Sequence, residues 1–270
     1  MFSTGHLLWI GISFALIVGG FIAIRIRRAS LDEVLKWCLV VGVASEVVKV
    51  FSVTVILPMV TPQISGGELV YEVTGTYTPY MELAHLPLEL CSLMILFLAL
   101  ALWSKDKAWR ESLLTVMYIT GVIGGLMGIL LAYITSEFNT VQDYFTSPRV
   151  WQYFLYHAMV VTLGLYLGFG RENSISLRSF KSTILCIVVL DLPTFYLNSV
   201  FSQPVYAAEK PVGLVYRTNF FSSYVNPLGL VLTEKWQWIA YLCVRMALAS
   251  VLIALLLWLA GAVGKNRRKG

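Results

Sequence analysis

The stretch Glu82-Leu83-Ala84-His85-Leu86-Pro87-Leu88-Glu89-Leu90-Cys91-Ser92 opens an apolar run that continues to Trp103. From 82 to 103 the run is long enough to cross about 30 Å of hydrocarbon as a helix. It also carries two carboxylates, an imidazole and a thiol. An ionisable group inside a membrane segment costs several kcal/mol unless it has a partner or a purpose. His85 and Glu89 are four residues apart, with Glu82 and Ser92 on the same side, so a helix here has one polar face. Cys91 lies about 200° from Glu89 on a straight helix and joins Ala84, Leu88, Ile95 and Leu98. Pro87 is positioned to kink or unwind the first turn and so reset that register. Read alone, Cys91 is a small buried thiol.

Composition agrees with a membrane reading. The chain of 270 residues is 58% hydrophobic and only 13% charged, with a mean hydropathy of +0.75. Soluble domains carry about 25% charged residues, so an integral membrane protein forming one compact bundle is expected. The net charge of +5 does not indicate nucleic acid, because the basic residues sit in short loops beside apolar segments. That placement fits the cytoplasmic leaflet. Cys38, Cys91, Cys186 and Cys243 all fall inside apolar segments, which argues against a disulfide framework.

Seven apolar runs are expected as transmembrane helices, near 7–26, 34–57, 82–103, 112–134, 150–170, 180–200 and 236–260. The expected fold is therefore an all-α seven-helix bundle in one domain over 1–270. The first run has no basic leader and no clear cleavage site, so it reads as a retained helix. Arg25, Arg27, Arg28 and Lys36 mark the first connection, Lys105, Lys107 and Arg110 the third, and Arg171, Arg178 and Lys181 the fifth. The tail adds Lys265, Arg267, Arg268 and Lys269, whereas residues 58–81 have no Lys or Arg and the fourth connection has only Arg149. The long sixth connection has Lys210, Arg217 and Lys235. The positive-inside rule then puts the N-terminus outside and the C-terminus in the cytoplasm of a multi-pass cell-membrane protein.

The two long outer connections read as turns. Pro58, Pro62, Gly66, Gly67, Gly75 and Pro79 punctuate 58–81, and Pro204, Pro211, Asn226-Pro227 and Gly229 punctuate 201–235. Trp236 and Trp238 suit an interface belt. The fourth run carries Gly121, Gly124, Gly125 and Gly128, two overlapping G-x-x-x-G pairs that let a neighbouring helix approach closely.

The polar residues inside the runs are Glu46, Lys49, Glu82, His85, Glu89, His157, Asp191, Asn198 and Arg245. At 1.5 Å per residue, Glu89, Cys91, His157, Asp191, Arg245 and Glu46 fall within a few residues of one level, which allows one outer-half cavity. Each has a plainer reading. Glu46 and Lys49, at i,i+3, can neutralise each other. Asp191 and Arg245 can form an interhelical ion pair, and Asn198 can hold two helices together.

Several segments together resemble the YwaF-like integral membrane family, related to the transmembrane protein 164 acyltransferases. The resemblance rests on Leu86-Pro87-Leu88-Glu89-Leu90-Cys91-Ser92 and on Tyr153-Phe154-Leu155-Tyr156-His157-Ala158. The glycine-rich fourth run, Asn198 and Asn219-Phe220-Phe221 support it. It implies a seven-helix bundle and, in the acyltransferase branch, a cysteine nucleophile paired with a histidine on another helix. Carried over, Cys91 takes an acyl chain from a phospholipid and passes it to a lysophospholipid, and His157 activates the thiol. This chain has Glu89 where the family motif carries His, and Glu234-Lys235-Trp236-Gln237-Trp238 where the family has a proline-tryptophan pair.

The chemistry implied is coherent, because a neighbouring base turns a thiol into an effective nucleophile and a carboxylate can orient that base. The expected catalytic residues are Cys91, His157 and Glu89. His85, Glu46, Asp191, Asn198 and Arg245 are the expected substrate contacts, with Arg245 suited to a phosphate or an oxyanion. No cofactor or metal is expected, since His6, His85 and His157 form no close pair. Membrane lipids are the expected partners. Buried charges also mark transporters, although no inverted repeat is evident. A receptor or other non-catalytic membrane protein is the third reading.

Overall fold

The computed structural model describes residues 3–65, 68–132, 140–170, 175–207, 210–215, 217–222 and 230–267. Gly66, Gly67, Arg171, Asn226, Pro227, Gly229, Arg268, Lys269 and the end of the fourth expected span, 133–134, lie outside the described residues. The helices are α1 (Thr4–Arg27), α2 (Leu31–Val53), α3 (Leu90–Trp103), α4 (Lys107–Leu130), α5 (Val141–Thr146), α6 (Pro148–Phe169), α7 (Phe180–Phe201) and α8 (Lys235–Arg267). Two antiparallel hairpins interrupt them, β1 (Val55–Ser65) with β2 (Glu68–Tyr80), and β3 (Gln203–Ala207) with β4 (Lys210–Val215).

Local chemistry sets the helix ends. Ser3 caps α1 by accepting the His6 amide at 3.2 Å, and Asp106 caps α4 by accepting that of Trp109 at 3.0 Å. Ser30 and Glu33 form a reciprocal capping box on α2. The Ser30 amide, then its hydroxyl, hold the Glu33 carboxyl below its ordinary pKa, with Lys36 adding to the effect.

Among the described residues, five helices are long and apolar enough to cross a membrane: α1, α4, α6, α7 with its preceding turn, and α8. The seven expected spans are not all met on that measure. α2 carries Lys36, Glu46 and Lys49 within one window, and α3 has only 14 residues.

The third expected span is corrected at its start. Helix begins at Leu90, after a short 3-10 turn at Leu83–His85. Pro87 has no N–H to donate and disfavours helical geometry at Leu86, whose ψ is 144°. Glu89 is the extended N-cap, with ψ 152°. His85 and Glu89 therefore do not share a helix face, and the wheel that turned Cys91 away from them does not apply.

The expectation of turns in the two long connections is also corrected. Val55 pairs with Tyr80 and the ladder runs out to Ser65 and Glu68, with a register shift between Pro58 and Val60. Runs such as Val70-Tyr71-Glu72-Val73-Thr74 have the β-branched and aromatic character of strands. The prolines that argued for turns are tolerated because each strand of a two-stranded ribbon is an edge. Gly75 takes φ +81°, open to glycine and strained for other residues.

The core is centred on α4 and α6. A Cβ on Gly121 would sit 2.9 Å from the Val160 carbonyl, and one on Gly164 would sit 2.9 Å from the Val122 amide. The two backbones touch there, the close approach expected of small residues in membrane helices. Leu35, Met94, Leu98, Met117, Tyr118, Leu163 and Leu257 fill the surrounding core. A second cluster gathers Trp9, Tyr144, Val150 and Phe154, where the Trp9 indole donates to the Tyr144 carbonyl at 3.1 Å.

Candidate functional site

The glycines of α4 present two surfaces. Gly121 and Gly125 meet the backbone or side chains of α6. Gly128 also meets α6, whereas Gly124, one turn before it, meets α3. A Cβ on Gly124 would lie 3.8 Å from the Cys91 Sγ, and one on Gly128 would lie 2.5 Å from the His157 Nε2. The thiol and the imidazole thus rest against glycines on neighbouring turns of α4. Cys91 is half-buried and His157 is buried.

Three contacts fix the imidazole and the thiol's backbone. The His157 Nδ1 lies 2.7 Å from the Tyr153 carbonyl. A carbonyl only accepts, so Nδ1 carries the proton and the Nε2 of neutral His157 holds the lone pair. The Tyr153 ring lies 4.2 Å from the imidazole, and its hydroxyl donates to the Gly128 carbonyl at 2.9 Å. The imidazole is thereby held between Tyr153 and Gly128. The Tyr156 hydroxyl donates to the Cys91 carbonyl, tying α6 to the first turn of α3. Sequence reasoning gave Tyr153 no role of its own. Its position one turn before His157 was the available signal.

The other expected site residues lie elsewhere. Glu46 pairs with Lys49 on α2. Asp191 on α7 pairs with Arg245 on α8, and Arg245 also donates to the Phe221 carbonyl at 2.9 Å. Glu89 accepts the Phe221 amide at 3.4 Å. Asn198 is fully buried and grips the same segment. Its Oδ1 accepts from the Phe220 amide at 2.9 Å and the Thr218 hydroxyl at 3.0 Å, and its Nδ2 donates to the Phe220 carbonyl at 3.1 Å. Three expected site residues therefore strap residues 218–221 onto the bundle. Phe221 adopts φ +57°, a conformation costly for an aromatic residue unless its surroundings hold it.

Two cavities flank this region. The larger, about 680 Å³, runs between α4, α7 and α8. Leu90, Ile123, Gly124, Ile187, Val244 and Leu248 are among its apolar lining residues, with Arg245 and Gln237 also on its wall. Its volume falls in the range of about 300–1,000 Å³ typical of ligand sites. The second, about 490 Å³, lies at the end of the bundle that bears the first hairpin. Tyr80, Glu82, His85, Ser147 and Arg149 line it. His85 lines this second cavity, and Glu89 lines neither. Among the described residues, no group of three or more His, Cys, Asp or Glu is placed to hold a metal ion.

A mostly helical chain with several membrane-length helices and buried ion pairs defines a multi-pass membrane protein. The TMEM164 family model matches residues 1–260, and the chain belongs to the TMEM164 family. No curated protein and no solved structure matches it.

Proposed function

We propose that the protein is a thiol-dependent phospholipid acyltransferase of the cell membrane, with Cys91 as nucleophile and His157 as base. The observation that supports this reading is a pair of glycines one turn apart on α4, with the Cys91 Sγ beside Gly124 and the imidazole on Gly128. His157 Nε2 takes the thiol proton as sulfur attacks an ester carbonyl of the phospholipid. The tetrahedral intermediate collapses, and the leaving glycerol oxygen takes that proton back. A lysophospholipid departs and the acyl chain remains on Cys91 as a thioester. The hydroxyl of a second lysophospholipid then gives its proton to Nε2 and attacks the thioester, and the returning proton regenerates the thiol.

The apolar cavity suits the acyl chain, since Gly124 lines it and also abuts Cys91. In this reading the Tyr153 carbonyl orients His157 in place of a carboxylate. Glu89, Asn198, Asp191 and Arg245 act through the 218–221 segment, and Glu46 serves its pair with Lys49. Charges closed into such pairs favour an enzyme scaffold over an ion pathway. We also propose that α2 and α3 cross the membrane with the other five, the non-α-helical residues 82–89 completing the third crossing ahead of α3. The hairpin end then faces outward and the C-terminus the cytoplasm.

The test is acyl transfer from labelled phosphatidylcholine to lysophospholipid by purified protein in vesicles. Cys91→Ala is expected to abolish transfer, and His157→Ala to lower it by about 10²–10⁴-fold. Full activity in Cys91→Ala would remove the nucleophile assignment.

A further inference from the structure

We infer that the cavity beside the first hairpin, lined by Glu82, His85 and Arg149, is the subsite for a lipid headgroup phosphate. The inference rests on the acyltransferase reading and extends it to how the substrate is held. It starts from spacing on α6. Arg149, Tyr153 and His157 follow at four-residue intervals and therefore share one face. The Arg149 guanidinium carbon lies 5.9 Å from the Tyr153 ring centre, and that ring lies 4.2 Å from the imidazole. Arg149 and His157 are thus no more than about 10 Å apart, joined through one aromatic ring.

That separation matches the substrate's covalent structure. In a glycerophospholipid, two carbons and two oxygens connect the phosphorus to the ester carbonyl on the middle glycerol carbon. A phosphate seated on the guanidinium brings that carbonyl to the imidazole and its neighbouring thiol. Arginine suits the task, because its donors form a planar fork that matches phosphate oxygens. Arg149 is half-buried and donates to Gln152, whose Nε2 in turn donates to the Ser45 hydroxyl at 2.7 Å. These contacts and the Tyr153 ring hold the guanidinium at the cavity wall. Pro148 and Ser147 start α6 beside it, and the positive end of a 22-residue helix favours an anion.

The carboxylate of Glu82 shares the cavity, and repulsion disfavours a headgroup that brings only negative charge. A headgroup with a cationic nitrogen beside its phosphate satisfies both walls. The subsite therefore both anchors the lipid and selects for a zwitterionic headgroup.

Native mass spectrometry of the detergent-solubilised full chain tests this without turnover. The probes are phosphatidylethanolamine, phosphatidylglycerol and diacylglycerol, with inorganic phosphate as competitor. Phosphatidylethanolamine is expected to bind best and diacylglycerol worst. Arg149→Gln should weaken phosphatidylethanolamine binding by about tenfold, towards the diacylglycerol value, while Arg149→Lys, which keeps the charge but loses the fork, should fall between the two. Glu82→Gln, at an exposed position, should raise phosphatidylglycerol binding and narrow the gap. Unchanged binding in Arg149→Gln overturns the subsite, as does an unchanged headgroup order in Glu82→Gln. Displacement of the lipid by millimolar inorganic phosphate would make this a free-phosphate site and overturn the headgroup assignment. Loss of transfer in Cys91→Ala bears on the nucleophile alone and leaves these binding results independent.

Discussion

Two helix pairs frame Cys91, and different chemistry holds them. α4 and α6 are 67% and 72% buried along their most apolar stretches, and glycines let their backbones touch. The corresponding shares for α7 and α8 are 11% and 17%. Among the described residues, the polar ties of this second pair include an ion pair, the contacts of Asn198 and Arg245 with residues 218–221, and the Tyr118 hydroxyl donating to the Leu256 carbonyl. Packing fixes position to a fraction of an ångström, as a reacting pair requires. The second pair is mostly exposed, and the apolar cavity opens on that side of α4. Under the proposed reaction, one pair would set the geometry of the thiol and imidazole and the other would accommodate the acyl chain.

Gly128→Ala attacks the rigid pair and should have the larger effect. The added methyl would stand 2.3 Å from the His157 Cδ2, so the ring must move away from Tyr153 or the helices must part. A displacement of about 1 Å can cost about 100-fold in rate, and we expect a loss of that order in acyl transfer. The thermal midpoint should change little, because alanine is better than glycine within a helix by about 1 kcal/mol. Unaltered kinetics would mean that the imidazole on Gly128 is not the working base.

Asn198→Ala attacks the second pair. It leaves the Phe220 amide and carbonyl without their buried partner, at a cost of about 1–3 kcal/mol. Protease nicking within 210–235 should increase and the thermal midpoint should fall, while transfer drops only a few-fold. A loss as severe as that of Gly128→Ala would place the 218–221 segment in the reaction itself and erase the distinction between the pairs.

The sequence made some of this architecture legible. The glycine spacing of α4 announced a close helix contact, because only small residues permit one. Asp191 with Arg245, and Glu46 with Lys49, were readable as pairs from charge and depth. The assignment of each glycine to a particular neighbour was not readable, because it depends on how α3 and α6 lie against α4. The hairpins were hidden by prolines and glycines that usually mark turns, and only strand pairing reveals that such residues sit on edges. Around Pro87 the alternatives of a bent or an unwound turn stayed open, and they place Glu89 and Cys91 differently. Unwinding makes Glu89 the cap of α3 and frees it to reach Phe221. Tyr153 escaped notice because its carbonyl carries no residue-type signature and its ring and hydroxyl contacts depend on how α6 lies against α4.

The central claim is that the Cys91 sulfur carries the acyl group between two lipids. Its most direct measurement is the mass of the acid-quenched protein after brief exposure to phospholipid vesicles without acceptor, with peptide mapping of any adduct. The account predicts one acyl chain on Cys91, removed by hydroxylamine and discharged on adding lysophospholipid. Acyl transfer proceeding with no adduct on Cys91, or with the adduct on another residue, would contradict it.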